Sequence, residues 1–333
     1  MRGRDFIKLV AVCAAAEPLR AHAQQATKVV RIGVLAPSRP DNSDPSYRAL
    51  NAFVPALEEL GYTDGKNIAF ERKFADGDVS RLRVLANELV EQRVDIIVAL
   101  STPAARAAKQ ATTTIPIVAI NMADPVGDEL VASLARPGGN VTGTAFLGPE
   151  LVSRRLQLLK ELVPGLSRVA VLWHPLAYSE RTMTGMLKEI EGAANTLGTK
   201  LQFVPATGGG DLEPAFAAMI KERAQAIMIF PSPMLYGQYG RIVDLAASNR
   251  LPAIYAAREG ADLGGLVSYG VNQSDLSRST AVYLEKILKG AKPGELPIEQ
   301  PAKLELVINL RTAKTMKLTI PQSILLRADR VIQ

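Results

Sequence analysis

The chain has 333 residues, of which 47% are hydrophobic and 22% are charged, and its formal net charge is +6. That length is sufficient for two domains with separate cores, and the composition is typical of a globular protein. No apolar run has the roughly 18–20 residues that a membrane span needs. The basic excess is small and scattered, so it favours a solvated surface over a nucleic-acid-binding patch.

The N-terminus has the three parts of an export signal. A segment with three basic residues precedes a short apolar stretch, and Ala21-His22-Ala23 then forms an A-x-A cleavage motif. We therefore predict a signal peptide over residues 1–23, cleaved near Ala23, and a periplasmic protein. Gly3 splits what resembles a twin-arginine pair, which leaves the export route open. A disordered cytoplasmic tail is the alternative interpretation.

Cysteine and histidine usage limits the chemistry. The single cysteine, Cys13, lies inside the predicted signal peptide, and the bulky Val12 before it argues against a lipid anchor. Cleavage would leave no thiol and one histidine, His174, which excludes a His/Cys metal cluster. No nucleotide-binding glycine motif follows the first strand. We expect no metal, no cofactor and no catalytic residue.

Strands and helices alternate along the first half of the chain. The predicted elements are strand 29–36, helix 47–60, strand 67–74, helix 79–92, strand 94–100, helix 103–111, strand 115–121 and a short helix near 128–135. Strands 94–100 and 115–121 are apolar nearly throughout, as expected for a parallel sheet that is covered on both faces. Right-handed crossovers between such strands produce a doubly wound sheet.

The turn residues of segment 136–143 interrupt this pattern and are predicted to lead into a crossover. The alternation then resumes with helix 149–163, strand 168–174, helix 179–197, strand 201–206, helix 211–223, strand 226–231, helix 236–249, strand 252–256, strand 266–270, helix 273–289 and strand 303–309. We interpret strand 303–309 as another crossing between the two halves. The amphipathic end, 320–333, is expected to pack on the second half.

Three strands of the second half repeat three strands of the first. The second member of each pair begins 139, 132 or 136 residues after the first (29 to 168, 94 to 226 and 114 to 250). The sequence therefore predicts an α/β protein with two doubly wound parallel-sheet lobes that are joined by crossover strands. The N-terminal lobe would comprise 28–143 plus about 271–300, and the C-terminal lobe 144–270 plus about 301–333.

Ligands of open α/β sheets bind at the carboxyl ends of the strands. The candidate ligand-binding residues at these ends are Ser38, Ser101, Thr102, Asn121 and Asp124 in the first lobe, and His174, Tyr178, Pro231, Ser232, Glu259 and Tyr269 in the second. This set is rich in hydroxyls and aromatic rings and poor in acid–base pairs. It predicts binding rather than catalysis.

Ser101 and Thr102 come between a strand and a helix that has Pro103 in its first turn. Hydroxyls and free N–H groups at a helix N-terminus can bind a carboxylate, although the same residues also serve as plain N-caps. Glu259 can pair with a ligand ammonium or with Arg258, and His174 is a hydrogen-bonding residue rather than a general base. Tyr178 and Tyr269 are either stacking surfaces for a ligand or half-buried core residues.

Several of these stretches resemble the extracytoplasmic substrate-binding proteins of ABC transporters, in the family related to tryptophan/tyrosine transport. The resemblance runs nearly end to end and is most specific in two stretches, Asp124-Pro125-Val126-Gly127 and Pro137-Gly138-Gly139-Asn140. It also includes Arg31-Ile32-Gly33-Val34-Leu35, Thr102-Pro103-Ala104-Ala105, Leu251-Pro252-Ala253-Ile254-Tyr255 and Leu288-Lys289-Gly290-Ala291-Lys292-Pro293.

The resemblance implies a type I periplasmic-binding-protein fold with three crossing strands. It implies a small carboxylate-bearing ligand, such as an amino acid, between Ser101/Thr102 on one lobe and Glu259 and the aromatic residues on the other. The expected partner is a membrane permease with its ATPase, and the protein is expected to be monomeric. The alternatives are a periplasmic sensor for a membrane receptor and an enzyme that uses the cleft. A DNA-binding regulator would need a head domain before Val29, where only the predicted signal peptide stands.

Overall fold

The structure, a computed structural model, describes residues 29–40, 45–146, 148–301 and 303–333. The predicted signal peptide and Cys13 lie outside this part of the chain. None of the helices in the described ranges has the length and apolar character that a membrane crossing requires.

Two sheets organise the fold. The first contains β1 (Val30–Ala36), β2 (Ile68–Phe74), β3 (Ile96–Leu100), β4 (Ile117–Met122) and β5 (Val141–Ala145), with α1 (Pro45–Glu59), α2 (Leu82–Glu91) and α3 (Thr102–Ala111) between them. Its strand order is β2-β1-β3-β4-β5, and all its pairs are parallel. We call this sheet and the helices that pack on it lobe one.

The second sheet follows α4 (Gly148–Leu162) and defines lobe two. Its strands are β6 (Arg168–Trp173), β7 (Lys200–Pro205), β8 (Ala226–Ile229), β9 (Ala253–Tyr255), β10 (Val267–Val271), β11 (Leu304–Asn309) and β12 (Arg330–Ile332). The remaining helices are α5 (Glu180–Leu197), α6 (Leu212–Lys221), α7 (Pro233–Tyr236), α8 (Tyr239–Ser248), α9 (Glu259–Asp262), α10 (Gln273–Leu288), α11 (Leu310–Thr315) and α12 (Gln322–Leu325).

The repeat predicted from the sequence is confirmed by the strand order. Lobe two begins β7-β6-β8-β9-β10, which is the order of lobe one with every strand replaced by its counterpart. The ten strands of this repeat pair in parallel, whereas β11 runs antiparallel to β10. Each sheet therefore has a topological switch point, between β1 and β3 and between β6 and β8.

Apolar layers cover both faces of each sheet. In lobe one, α2 and α3 bury one face with residues such as Leu85 and Leu89, while α1 and α10 bury the other with Phe53 and Leu284. In lobe two, α4 and α5 cover one face, and α6 and α8 cover the other. A fully buried leucine or phenylalanine contributes about 1.5–3 kcal/mol, so these layers supply most of the stability of the fold. Because α10 packs along α1, the chain returns to lobe one after β10.

One predicted helix is absent, one is shorter than predicted, and one predicted strand has a different role. The short helix near 128–135 is a run of turns, because the Asp124 carboxylate accepts the Gly127 N–H and the Pro125 carbonyl accepts two later N–H groups. Helix 236–249 is confirmed as α8 over a shorter range, because Ser232 and Pro233 begin a separate helix of four residues, α7, just before it. Strand 303–309 is confirmed as β11, but its interpretation as a crossing was wrong, since it pairs with β10 within the second sheet.

The corresponding crossing comes just before that strand. Glu299 still bridges to Thr144 of β5, and five residues later Leu304 begins β11 in the second sheet. The turn segment 136–143 likewise runs into β5, which is the fifth strand of the first sheet.

Candidate functional site

The carboxyl ends of the two sheets face each other across the region between the lobes. A cavity of about 430 Å³ lies there, with Arg39, Asp76 and Ser80 on the side of lobe one and His174 and Gln238 on the side of lobe two. The switch points of both sheets open toward this region, where parallel α/β sheets bind ligands. The cavity therefore lies between loops that follow strands of both sheets, and its lining includes His174 among the candidates named from the sequence.

Ser101 ends β3 in a strained backbone conformation. Its φ of 88° lies in the region that residues other than glycine rarely adopt, and such outliers concentrate at functional sites. Although it stands at the N-terminus of α3, its side chain makes no capping hydrogen bond. Its Oγ is buried without a hydrogen-bond partner in the described part of the chain. The side chain of Ser101 is therefore not a plain N-cap.

Asn121 has a second positive φ, of 64°. The register of β4 against β5 shifts at this point, and the Asn121 N–H donates to Thr144 Oγ1 at 3.0 Å. Gly143 permits the close approach of β5, because its φ is +132° and a Cβ there would lie 1.9 Å from the Ala119 carbonyl oxygen. Asn121 Oδ1 is buried and has no partner among the described residues. Such irregularities redirect a side chain away from the regular pleat.

The other candidates of lobe one differ in what their side chains do. Thr102 Oγ1 accepts the Ala123 N–H at 2.9 Å, which ties the start of α3 to the end of β4. Asp124 Oδ1 accepts the Gly127 N–H at 2.7 Å and shapes the following turn. Ser38 is 2% exposed, and its Oγ has no partner within the described ranges. Thr102 and Asp124 thus have structural hydrogen bonds, whereas Ser38 resembles Ser101.

His174 follows β6 and lines the cavity. It is 3% exposed, and its Nδ1 has no partner in the described structure. Burial lowers the pKa of His174, so its imidazole is neutral near pH 7. A neutral imidazole offers one donor and one acceptor to a polar ligand.

Three candidates of lobe two bond to one another or to their own helix. The Tyr178 hydroxyl donates to the Pro231 carbonyl at 2.6 Å, and burial raises the pKa of this phenol. Ser232 Oγ accepts the Leu235 N–H at 3.0 Å and caps α7. These contacts position the loops after β6 and β8 at the edge of the cleft.

Glu259 and Tyr269 lie deeper in lobe two. Glu259 begins α9 and is 6% exposed. Its charge acts on the Tyr236 hydroxyl, whose pKa is raised mainly by burial. Tyr269 is half-buried on β10, and its ring packs against the core of α4 and α5.

The sequence analysis missed Arg155. It is 1% exposed in the middle of α4, and its Nε donates to the Tyr269 carbonyl at 2.7 Å. Its Nη1 is buried without a partner in the described part of the chain. A signal was available, because Arg155 stands on the apolar stripe that Val152, Leu156 and Leu159 form at helical spacing.

Within the described ranges, no group of three or more His, Cys, Asp or Glu side chains is arranged to hold a metal ion. The buried polar atoms of the cleft belong to hydroxyl, amide, imidazole and guanidinium groups, which are hydrogen-bonding partners for an organic ligand.

Comparison with known proteins identifies the family. The profile that describes ABC transporter substrate-binding proteins matches residues 34–332. The chain belongs to this family. A substrate-binding protein of this kind is an extracytoplasmic, non-enzymatic component that binds a small molecule for a membrane permease.

Individual relatives agree with this assignment. The chain is 26% identical to a tyrosine-binding protein of Clostridioides difficile over 270 residues, and this alignment covers 81% of this chain and 76% of that protein. It is 27% identical to an ABC domain from Streptococcus pneumoniae that was solved in complex with L-Trp. The two structures superpose with a TM-score of 0.82, and the match covers 91% of this chain and 100% of the other. A ligand-free, open substrate-binding protein with adhesive properties from Clostridium difficile gives 25% identity, a TM-score of 0.64 and coverage of 92% and 100%.

Proposed function

We propose that this substrate-binding protein closes its two lobes on an aromatic amino acid, or a related small carboxylate, and delivers it to a permease driven by a separate ATPase. The lobes would comprise 28–143 plus about 271–300, and 144–270 plus about 301–333. The chain would act in the periplasm as a monomer, after removal of residues 1–23.

One observation carries this proposal. Buried polar atoms without a hydrogen-bond partner among the described residues lie in both lobes: Ser101 Oγ and Asn121 Oδ1 in lobe one, and His174 Nδ1 and Arg155 Nη1 in lobe two. Each such atom costs roughly 1–3 kcal/mol when it is buried unsatisfied. A polar ligand that supplies the missing partners would therefore stabilise the closed arrangement selectively.

The relatives support an aromatic ligand. One is a tyrosine-binding protein and another was solved with L-Trp. In this chain Trp173 is the last residue of β6, next to His174, and its ring is only partly buried, so it can pack against an aromatic side chain. The TM-score is also higher against the L-Trp complex than against the open, ligand-free relative, which supports a closed arrangement of the lobes.

Closure would work by a population shift. A ligand that first docks on one lobe gains contacts to the other lobe only in the closed form, so it favours that form by the free energy of those contacts. A micromolar affinity corresponds to about 8 kcal/mol, which one carboxylate, one ammonium and a buried ring can supply.

The test is thermal melting and calorimetric titration of residues 24–333 with aromatic, aliphatic and acidic amino acids and with sugars. We expect the melting temperature to rise with the concentration of an aromatic amino acid and to stay constant with sugars. Ser101→Ala should weaken that binding, while the matched change in an exposed serine at the end of α8, Ser248→Ala, should not. Binding of a sugar alone, or equal effects of the two substitutions, would contradict the proposal.

A further inference from the structure

The Arg155 guanidinium lies against β10 of the second sheet, close to the end of β9. It reaches across β10, since Nε donates to the Tyr269 carbonyl at 2.7 Å. A Cβ on Gly270 would lie 3.5 Å from Nη2 and 2.0 Å from the carbonyl oxygen of Ala256, which directly follows β9. Glycine at this position therefore permits the close approach of the Ala256 carbonyl, and the guanidinium lies near that carbonyl at the carboxyl end of β9.

The positive charge of Arg155 has no counter-ion among the described residues. No ion pair within 4.0 Å joins it to a carboxylate of the described chain, in contrast to Arg106, which pairs with Asp128 at 3.0 Å. The ionisable groups that act on Arg155 are the phenols of four tyrosines, Tyr178, Tyr236, Tyr239 and Tyr269. Burial raises the pKa of Tyr178, Tyr236 and Tyr239, so these phenols stay neutral and do not balance the charge.

An arginine in this position remains charged. Burial lowers the pKa of Arg155, but the ordinary pKa of a guanidinium is so high that the group stays protonated in proteins. Removing an unpaired charge from water costs desolvation free energy. An anion with two acceptor oxygens offsets this cost when it accepts hydrogen bonds from the planar guanidinium. The free Nη1 is the donor available for such an anion.

We infer that Arg155 is the carboxylate-binding residue of the cleft. This inference rests on the proposed function and assigns the ligand's carboxylate to lobe two, rather than to Ser101 and Thr102 at the start of α3.

The experiment measures the preference for a carboxylate. Wild type, Arg155→Met, Arg155→Lys and Arg154→Gln are titrated with L-tryptophan and with tryptamine, which lacks the carboxylate. We expect wild type to prefer L-tryptophan, and Arg155→Met to weaken L-tryptophan roughly 10- to 100-fold while changing tryptamine less than about threefold. Arg154, a partly exposed neighbour that bonds Gln157, provides the matched control with an unchanged preference.

A structural role would give a different result. Because Arg155→Met replaces an unpaired buried charge with an apolar side chain, we expect the melting temperature of the ligand-free protein to rise or stay constant. A preference that is the same in wild type and Arg155→Met refutes the inference and leaves the proposed function intact. If Arg155→Met does not fold, an unchanged preference in Arg155→Lys refutes it instead. Failure of wild type to bind any aromatic amino acid overturns both proposals.

Discussion

Asp128 joins the two lobes in the observed arrangement. Its Oδ1 accepts the Ser179 N–H at 2.9 Å and the Arg106 Nη2 at 3.0 Å, and its side chain is fully buried. Ser179 is the N-cap of α5, a helix of 18 residues, so the carboxylate of lobe one meets the positive end of a helix dipole in lobe two. Opening the lobes would break this contact, whereas the bond to Arg106 lies within lobe one.

Asp128→Asn therefore tests how strongly this contact favours closure. Asparagine keeps the shape and an acceptor oxygen but loses the charge, and a hydrogen bond to a charged group contributes about 1 kcal/mol more than a neutral one. With the helix-dipole contribution of about 0.3–1 kcal/mol, the closed form loses roughly 1–2 kcal/mol. Because closure and binding are linked, we expect the Kd for the best aromatic amino acid to rise about 5- to 30-fold.

The assay is calorimetric titration of both forms at low ionic strength. Glu129→Gln is the control, since it removes the same charge from the exposed neighbouring residue. A Kd of Asp128→Asn within twofold of wild type would show that the contact does not favour the closed form. An equal rise in Glu129→Gln would mean that the net charge of the loop, and not the bond to Ser179, controls affinity.

Three further predictions concern stability. Burial lowers the pKa of His174 in the folded protein, so the unfolded chain binds a proton at this histidine first as the pH falls below 6.5, and the folded state loses stability. Between pH 7 and pH 5 the melting temperature of wild type should therefore fall more than that of His174→Gln. Gly143 has a φ of +132° and lies against the backbone of Ala119, so Gly143→Ala should lower the free energy of unfolding by several kcal/mol. Gly185 lies within α5 with open space around it, so Gly185→Ala should raise the free energy of unfolding by up to about 1 kcal/mol. Chemical denaturation measures both changes. Ser232→Ala should cost about 1 kcal/mol as a lost helix cap, and Ser101→Ala should cost less because its side chain caps nothing.

The duplicated fold was predictable because its signal is repeated along the chain. Buried parallel strands such as β3 are apolar at every position, and the amphipathic helices between them have a different period, so the order of elements can be read directly. The helix expected near 128–135 failed for a physical reason. Leu130 and Val131 are buried, but the turn at Asp124 and the main chain of Pro125 take up the hydrogen bonds that a helix would need.

The candidate site was only partly predictable, because strand ends identify positions but not conformations. Ser101 and Ser232 are both strand-end residues that stand before a helix with a proline in its first turn. The structure separates them: Ser232 caps α7, while the backbone of Ser101 at φ 88° keeps its Oγ from capping α3. A choice between two such roles depends on one dihedral angle that the local sequence does not determine.

Arg155 could not be predicted from the ends of the strands, because this residue projects from the middle of a helix. Its signal was an exception to a pattern, a charge on a stripe of apolar residues. The other unusual features of the cleft are exceptions as well, since Ser101 and Asn121 have strained backbones that cost about 1–3 kcal/mol each. Apolar patterning stabilises both lobes well enough to carry these costs. The residues that depart from the pattern are therefore the ones for which a ligand can supply what the fold lacks, and their presence in both lobes is the strongest reason to look for the ligand between the lobes.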